Sequence, residues 1–347
     1  MCNVRSRRGW RNRSVSVYPW FEPLFQQLDN SFAHGQGHHA LLFKSDQGLG
    51  SEQLLMTIAQ GLLCLEKPGL QACGDCQHCQ LFRAGTHPDF HPLALQEGKN
   101  IGIDQVRELT VGLQQYARQD GNKVVYLPTL ELLSEAAANA LLKTLEEPND
   151  GTYFLLLADL TAPLMPTIYS RCQVWTLTAP PREVAKAWLQ TQIQADETDI
   201  ETALRINYNR PLTALNGLQK EWLPLRKQFL RRFWLFQQHR ALEPFLQQFA
   251  LKDEELLQRQ LNWLSSFFSD SLKCGLRIRQ GWINQDIANG IEQFSALFSQ
   301  TALLRANQLV LQLRQDLSRI NAVNQELIIL DFLTKLITQV FESKIEV

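Results

Sequence analysis

Between His39 and about Thr178, short apolar runs alternate with stretches of helical period, and this alternation restricts the possible folds more than any other feature of the chain. The runs are His39–Phe43, Phe90–Leu95, Lys123–Leu127, Tyr153–Ala158 and Gln173–Leu177. The amphipathic stretches between them are Glu52–Leu65, Ile103–Tyr116, Glu135–Leu145 and Pro163–Tyr169. Apolar runs of about four to eight residues suit strands buried on both faces, and intervening helices supply the crossovers that parallel pairing needs. The segment is expected to form a doubly wound α/β domain. Ala179-Pro180-Pro181 ends it, because consecutive prolines continue neither a helix nor a central strand. Beyond them the pattern is helical throughout, at Arg182–Ile193, Glu197–Ile206 and Leu212–Leu218 and then in longer runs.

At 347 residues the chain exceeds one ordinary core, so several domains are expected. We divide it into a basic N-terminal extension at 1–17, an α/β domain at 18–179, a small helical domain at 180–219 and a larger all-α domain at 220–347. The extension carries Arg5, Arg7, Arg8, Arg11 and Arg13 with no apolar core after them, so it is no signal peptide and reads as a disordered tail or an upstream start, with a nucleic-acid arm as the alternative. A formal net charge of -1 gives no overall electrostatic footprint of a nucleic-acid binder. Runs such as Phe154–Leu157 and Leu327–Leu330 fall far short of the roughly 18–20 apolar residues a bilayer span needs. The expected location is the cytoplasm, with no membrane partner.

Cys64, Cys73, Cys76 and Cys79 are spaced C-x8-C-x2-C-x2-C. Four thiolates so close in sequence suit a closed tetrahedral zinc site, which is structural because no ligand position is left for water. The metal would add folding energy to a loop with little apolar material of its own. Clustered free thiols and a disulfide knot are the alternatives, and His78, His87 or His91 replaces a thiolate only if the cysteine set is incomplete. A zinc module that reads nucleic acid is a further alternative, opposed by the absence of Lys and Arg from Cys73 to Cys79.

The first apolar run leads into Ser45–Glu52, SDQGLGSE, and then a helix, which is the context of a phosphate-binding loop. A working loop places Lys by the terminal phosphates and Ser or Thr on magnesium. Here Ser51 and Glu52 stand at those positions. Gly48 and Gly50 keep the turn, Ser45 replaces its first glycine, and Glu52 brings negative charge to the phosphate position. After Lys123–Leu127, Pro128 and Thr129 stand where the acids that hold magnesium and position water belong. No bound ATP and no hydrolysis are expected, against the competing reading of an active ATPase. Glu131 reads as a solvent-facing loop residue.

The segments EAAANALLKTLEEPNDGTYFLLLA, 135–158, and TIYSRC, 167–172, resemble the bacterial clamp-loader family of AAA+ ATPases. With VYPW at 17–20, the cysteine module and NQELIILDFL at 324–333, the similarity spans about residues 18 to 340. The resemblance implies an AAA+ type phosphate-loop domain with a zinc module at 64–79, a lid at 180–219 and a collar at 220–347. It implies that Arg171 acts as an arginine finger in trans on a neighbouring subunit's ATP, a task that suits a planar, permanently charged guanidinium. It also implies a hetero-pentamer with gamma or tau motor subunits and a delta subunit, which loads a sliding clamp onto primed DNA. Such a chain belongs to a polymerase holoenzyme yet lacks ATPase and polymerase activity itself. Leu212 stands where active members carry a nucleotide-sensing arginine, with Arg210 two places away. Ser170 and Cys172 are expected to pack rather than react, and Arg226, Lys227, Arg231 and Arg232 to form a solvated helix face rather than a DNA site.

Overall fold

The computed structural model describes residues 17–95, 100–114, 117, 121–319 and 325–342; the expected disorder of the basic extension falls almost wholly outside them. The chain divides into two compact units, 1–184 and 185–347.

In the first unit β1 (Ala40–Ser45), β2 (Phe90–Pro92), β3 (Lys123–Leu127), β4 (Thr152–Asp159) and β5 (Gln173–Leu177) form one parallel sheet in the order β2-β3-β4-β1-β5. This is the doubly wound arrangement the alternation predicts. Side chains along a strand alternate between faces, so each central strand feeds two cores. Leu41, Phe43, Val124, Tyr126, Leu155 and Leu157 face one core, built with α1 (Glu22–Ala33), α2 (Ser51–Leu63) and α3 (Gln77–Ala84). Leu42, Val125, Leu127, Phe154 and Leu156 face the other, built with α4 (Ile103–Leu113), α5 (Glu135–Glu146) and α6 (Pro166–Tyr169). Burial on both faces explains the uninterrupted apolar runs: Leu41, Leu42 and Phe43 are each at most 1% exposed.

Three local differences have simple causes. Helix α1 lies before the first predicted element, and its apolar stripe of Phe25, Leu28 and Phe32 at i, i+3 and i+7 is the signal that reveals it. Strand β2 stops at Pro92, which has no N–H to extend the ladder. Helix α6 begins at Pro166 rather than Pro163, because proline at the first helical position has its φ already set.

The second unit is helical. Helices α7 (Arg182–Gln192, whose first three residues fall in the first unit), α8 (Glu197–Ile206) and α9 (Pro211–Gln219) enclose a small core of Ala185, Leu189, Ile200, Ala203, Leu204 and Ala214. Helices α10 (Trp222–His239), α11 (Leu242–Leu246), α12 (Glu254–Gly275), α13 (Ala288–Leu297), α14 (Gln300–Arg319) and α15 (Gln325–Leu336), with a π-helical turn at Ile337–Phe341, surround a second and larger one. Its centre is aromatic: the Phe233 ring meets those of Phe236, Phe245, Phe267, Phe268, Phe294 and Phe341 at centroid distances of 5.4–6.4 Å.

The basic run on α10 is not the uniformly solvated face expected from sequence. Lys227, Arg231 and Arg232 are exposed, but Arg226 is fully buried and hydrogen-bonds Asp286 and Asn284. Among the described residues no helix is long and apolar enough to cross a membrane.

Candidate functional site

The four cysteine sulfurs converge. Helix α2 ends at Cys64, and its Gly61 lies where a Cβ would come 2.0 Å from the Leu70 carbonyl oxygen, so only glycine lets the returning loop approach. Asp29 anchors that loop by accepting from Leu70 N at 2.6 Å and Gln71 Nε2 at 2.7 Å. Gly74 turns the chain back at φ 88°, and Cys76 caps α3. All four Sγ atoms then lie within 4.8 Å of one another, with Cys64–Cys76 and Cys73–Cys79 at 4.0 Å. Ligands about 2.3 Å from a tetrahedral metal are about 3.8 Å apart, so the cluster fits one such ion.

Backbone N–H groups point at the sulfurs, from Cys73 to Cys64 at 3.3 Å and from Cys76 to Cys73 at 3.4 Å. The Cys76 N–H is the main reason the Cys73 thiol is lowered to about 7, whereas burial pushes Cys79 up to about 12. A cation would supply the positive charge that the deeper thiolates need. His78 and His87 pair with each other, Nδ1 to Nε2 at 3.1 Å, and His87 Nδ1 accepts from Asp89 N at 3.2 Å. These bonds assign the His87 proton to Nε2 and keep the pair outside the sulfur group.

The β1–α2 loop, read from sequence as a phosphate loop, turns on two glycines. Gly48 and Gly50 both have φ 83°, a left-handed value suited to glycine. The Ser45 hydroxyl donates to the Asp46 carbonyl at 3.0 Å, so in its contact with Ser51 it accepts. The two hydroxyls clasp the ends of the loop together. Leu49 is fully buried, and its carbonyl accepts from Trp20 Nε1 at 2.9 Å, which pins the loop to the N-terminal aromatic pair Tyr18 and Trp20. Glu52 is exposed at the start of α2, and Tyr126 is raised by burial and by the Glu52 charge.

Among the described residues the nearby ends of the sheet direct no cation into the loop. Pro128 and Thr129 follow β3; Glu131 is exposed, as read from sequence, and accepts from Asp159 N at 3.4 Å. Lys44, one residue before the loop, is the group sequence reading missed. Its Nζ is directed away, to the Ala162 carbonyl at 3.2 Å and the Tyr169 hydroxyl at 3.0 Å. It therefore braces α6.

Arg171 follows α6 closely. Its Nε donates to Glu146 Oε1 at 2.7 Å, its second terminal nitrogen reaches the same oxygen, and the other donates to Thr167 O at 2.8 Å and Ser170 Oγ at 3.2 Å. Burial pushes the Cys172 thiol up to about 12, which leaves it without nucleophilic character at neutral pH. In the second unit, Arg210 stands just before α9 and lies over the Tyr208 ring at 5.6 Å, while Leu212 is half-buried.

Comparison with known proteins covers nearly the whole chain. The family profile "DNA polymerase III, delta subunit" matches residues 21–181, "DNA polymerase III subunit delta', AAA+ ATPase lid domain" matches 180–219, and "DNA polymerase III, delta subunit, C terminal" matches 220–338. The DNA polymerase III subunit delta' of Haemophilus influenzae is 46% identical over 95% of this chain and 100% of its own length. The subunit of the same name from Escherichia coli is 35% identical over 92% of this chain and 95% of its own. That of Bacillus subtilis is 26% identical over 84% and 88%.

Proposed function

Because this chain belongs to the family of DNA polymerase III delta-prime subunits, we propose that it is a non-hydrolysing clamp-loader subunit that lends Arg171 to the ATP site of a neighbouring motor subunit. In this reading residues 18–179 are the AAA+-like domain with a structural zinc at 64–79, residues 180–219 are the lid, and 220–347 are the collar. The partners are gamma or tau motor subunits and a delta subunit in a cytoplasmic hetero-pentamer, which acts on the sliding clamp at primed DNA.

One observation carries the reading. The phosphate loop is closed by the Ser45–Ser51 hydroxyl pair and faced by Glu52, with no lysine directed into it among the described residues. A triphosphate would have to break that clasp and rest beside a carboxylate without the usual cation. The isolated chain is therefore expected to show no saturable ATP binding in a calorimetric titration up to millimolar nucleotide. Binding at micromolar concentration would favour the active-ATPase reading instead.

The chemistry left to this chain is electrostatic. A guanidinium placed across an interface stabilises the charge that spreads over the transferring phosphoryl group, and a finger of this kind is worth on the order of 10³-fold in kcat. With Arg171→Ala in the reconstituted complex, assembly should persist while hydrolysis at the neighbouring site falls by about that factor. An unchanged DNA-stimulated rate rules the finger out.

A further inference from the structure

The guanidinium proposed as a finger is already engaged within its own chain. Arginine has five N–H donors. Four of them are used here: Nε–H and one terminal N–H on Glu146, and the remaining terminal nitrogen on Thr167 O and Ser170 Oγ. The edge formed by Nε and its neighbouring terminal nitrogen is one that can grip an anion in a fork. Glu146 holds that edge.

We infer that Glu146 is a positioning residue for Arg171, which parks the guanidinium in cis until a neighbour's phosphate displaces the carboxylate. The inference rests on the finger reading above. Carboxylate and phosphate compete for the same donors, so engagement in trans means exchanging one anion for the other. The contacts to Thr167 O and Ser170 Oγ do not involve that edge, and they keep the side chain directed during the exchange. The pair is accessible to such an exchange, since the side chains of Arg171 and Glu146 are 27% and 46% exposed. An ion pair this open is worth a factor of about two to five in an equilibrium, enough to bias the arginine and little enough for a multiply charged phosphate to overcome.

The test uses the complete reconstituted complex, assayed for ATP hydrolysis without DNA and with primed DNA. Glu146→Gln removes the charge and keeps the shape. It should raise the DNA-independent rate about two- to five-fold and change the DNA-stimulated rate less, because there the finger is already engaged. The double variant Glu146→Gln/Arg171→Ala should match Arg171→Ala alone, a dependence that a purely structural role of Glu146 does not produce. If Arg171→Ala has no effect, the finger reading itself fails. If Arg171→Ala lowers the rate but Glu146→Gln leaves the DNA-independent rate unchanged or lowers it, the finger stands and the parking contact is overturned. A second measurement needs no assembly. In the isolated nitrogen-15-labelled chain, the Arg171 Nε–H signal should be protected from exchange in the parent and lose protection in Glu146→Ala, which removes the acceptor, and a signal indifferent to that substitution also overturns the inference.

Discussion

Asp270→Ala is expected to destabilise the C-terminal helical unit by about 3–5 kcal/mol, measured as a fall in the denaturant midpoint with little change in slope. Asp270 is fully buried in α12 and accepts from Ile283 N at 2.9 Å, Asn284 N at 2.8 Å and Asn284 Nδ2 at 2.8 Å. The Asn284 side-chain oxygen in turn accepts from buried Arg226, whose other terminal nitrogen donates to Asp286 at 2.8 Å. Asp270 thus holds the α12–α13 connection against α12, while Asn284 and Asp286 tie the same connection to the arginine on α10. Removal of the Asp270 carboxylate strands the buried Asn284 N–H and side-chain amide and leaves the half-buried Ile283 N–H without its acceptor, each buried group costing about 1–3 kcal/mol, against a total stability of roughly 5–15 kcal/mol. A loss below about 1 kcal/mol would mean that water replaces the carboxylate and that the network does not fix the connection.

The second large effect concerns the cysteine cluster. Metal analysis of the purified chain should find about one zinc per molecule, and Cys73→Ser or Cys76→Ser should abolish it. A bound ion stabilises the folded state by about 4 kcal/mol when its free concentration is a thousandfold above Kd, so a strong chelator should lower the melting temperature of the first unit by several degrees. Thiolates bind the ion and protons compete for them, so the effect should shrink as the pH falls. A chain that retains no metal, or whose melting is indifferent to both chelator and serine, would leave the sulfurs as a packed cluster of thiols.

Much of the first unit was legible because its information is local. Strands β3 and β5 run over the residues that their sequence pattern predicts, and in the second unit α8 likewise spans the predicted Glu197–Ile206. Residue types at the β1–α2 loop are likewise local information, since Ser51 and Glu52 stand at positions 51 and 52 whatever the backbone does there. The close spacing of three of the cysteines leaves little chain to separate their sulfurs, and the structure brings all four together.

What the sequence by itself determined about this protein, then, is the alternation of strand and helix, the helical remainder and the spacing of the thiols. Tertiary structure alone decided the strand order, the burial of Arg226, the turning of Lys44 toward α6 and the pairing of Arg171 with Glu146, 25 residues earlier. The physical reason is that periodicity and spacing act between neighbours in the chain, whereas the environment of a charge is set by whichever distant groups packing brings to it. A lysine or arginine reads the same in sequence whether it meets water, an aromatic hydroxyl or a carboxylate.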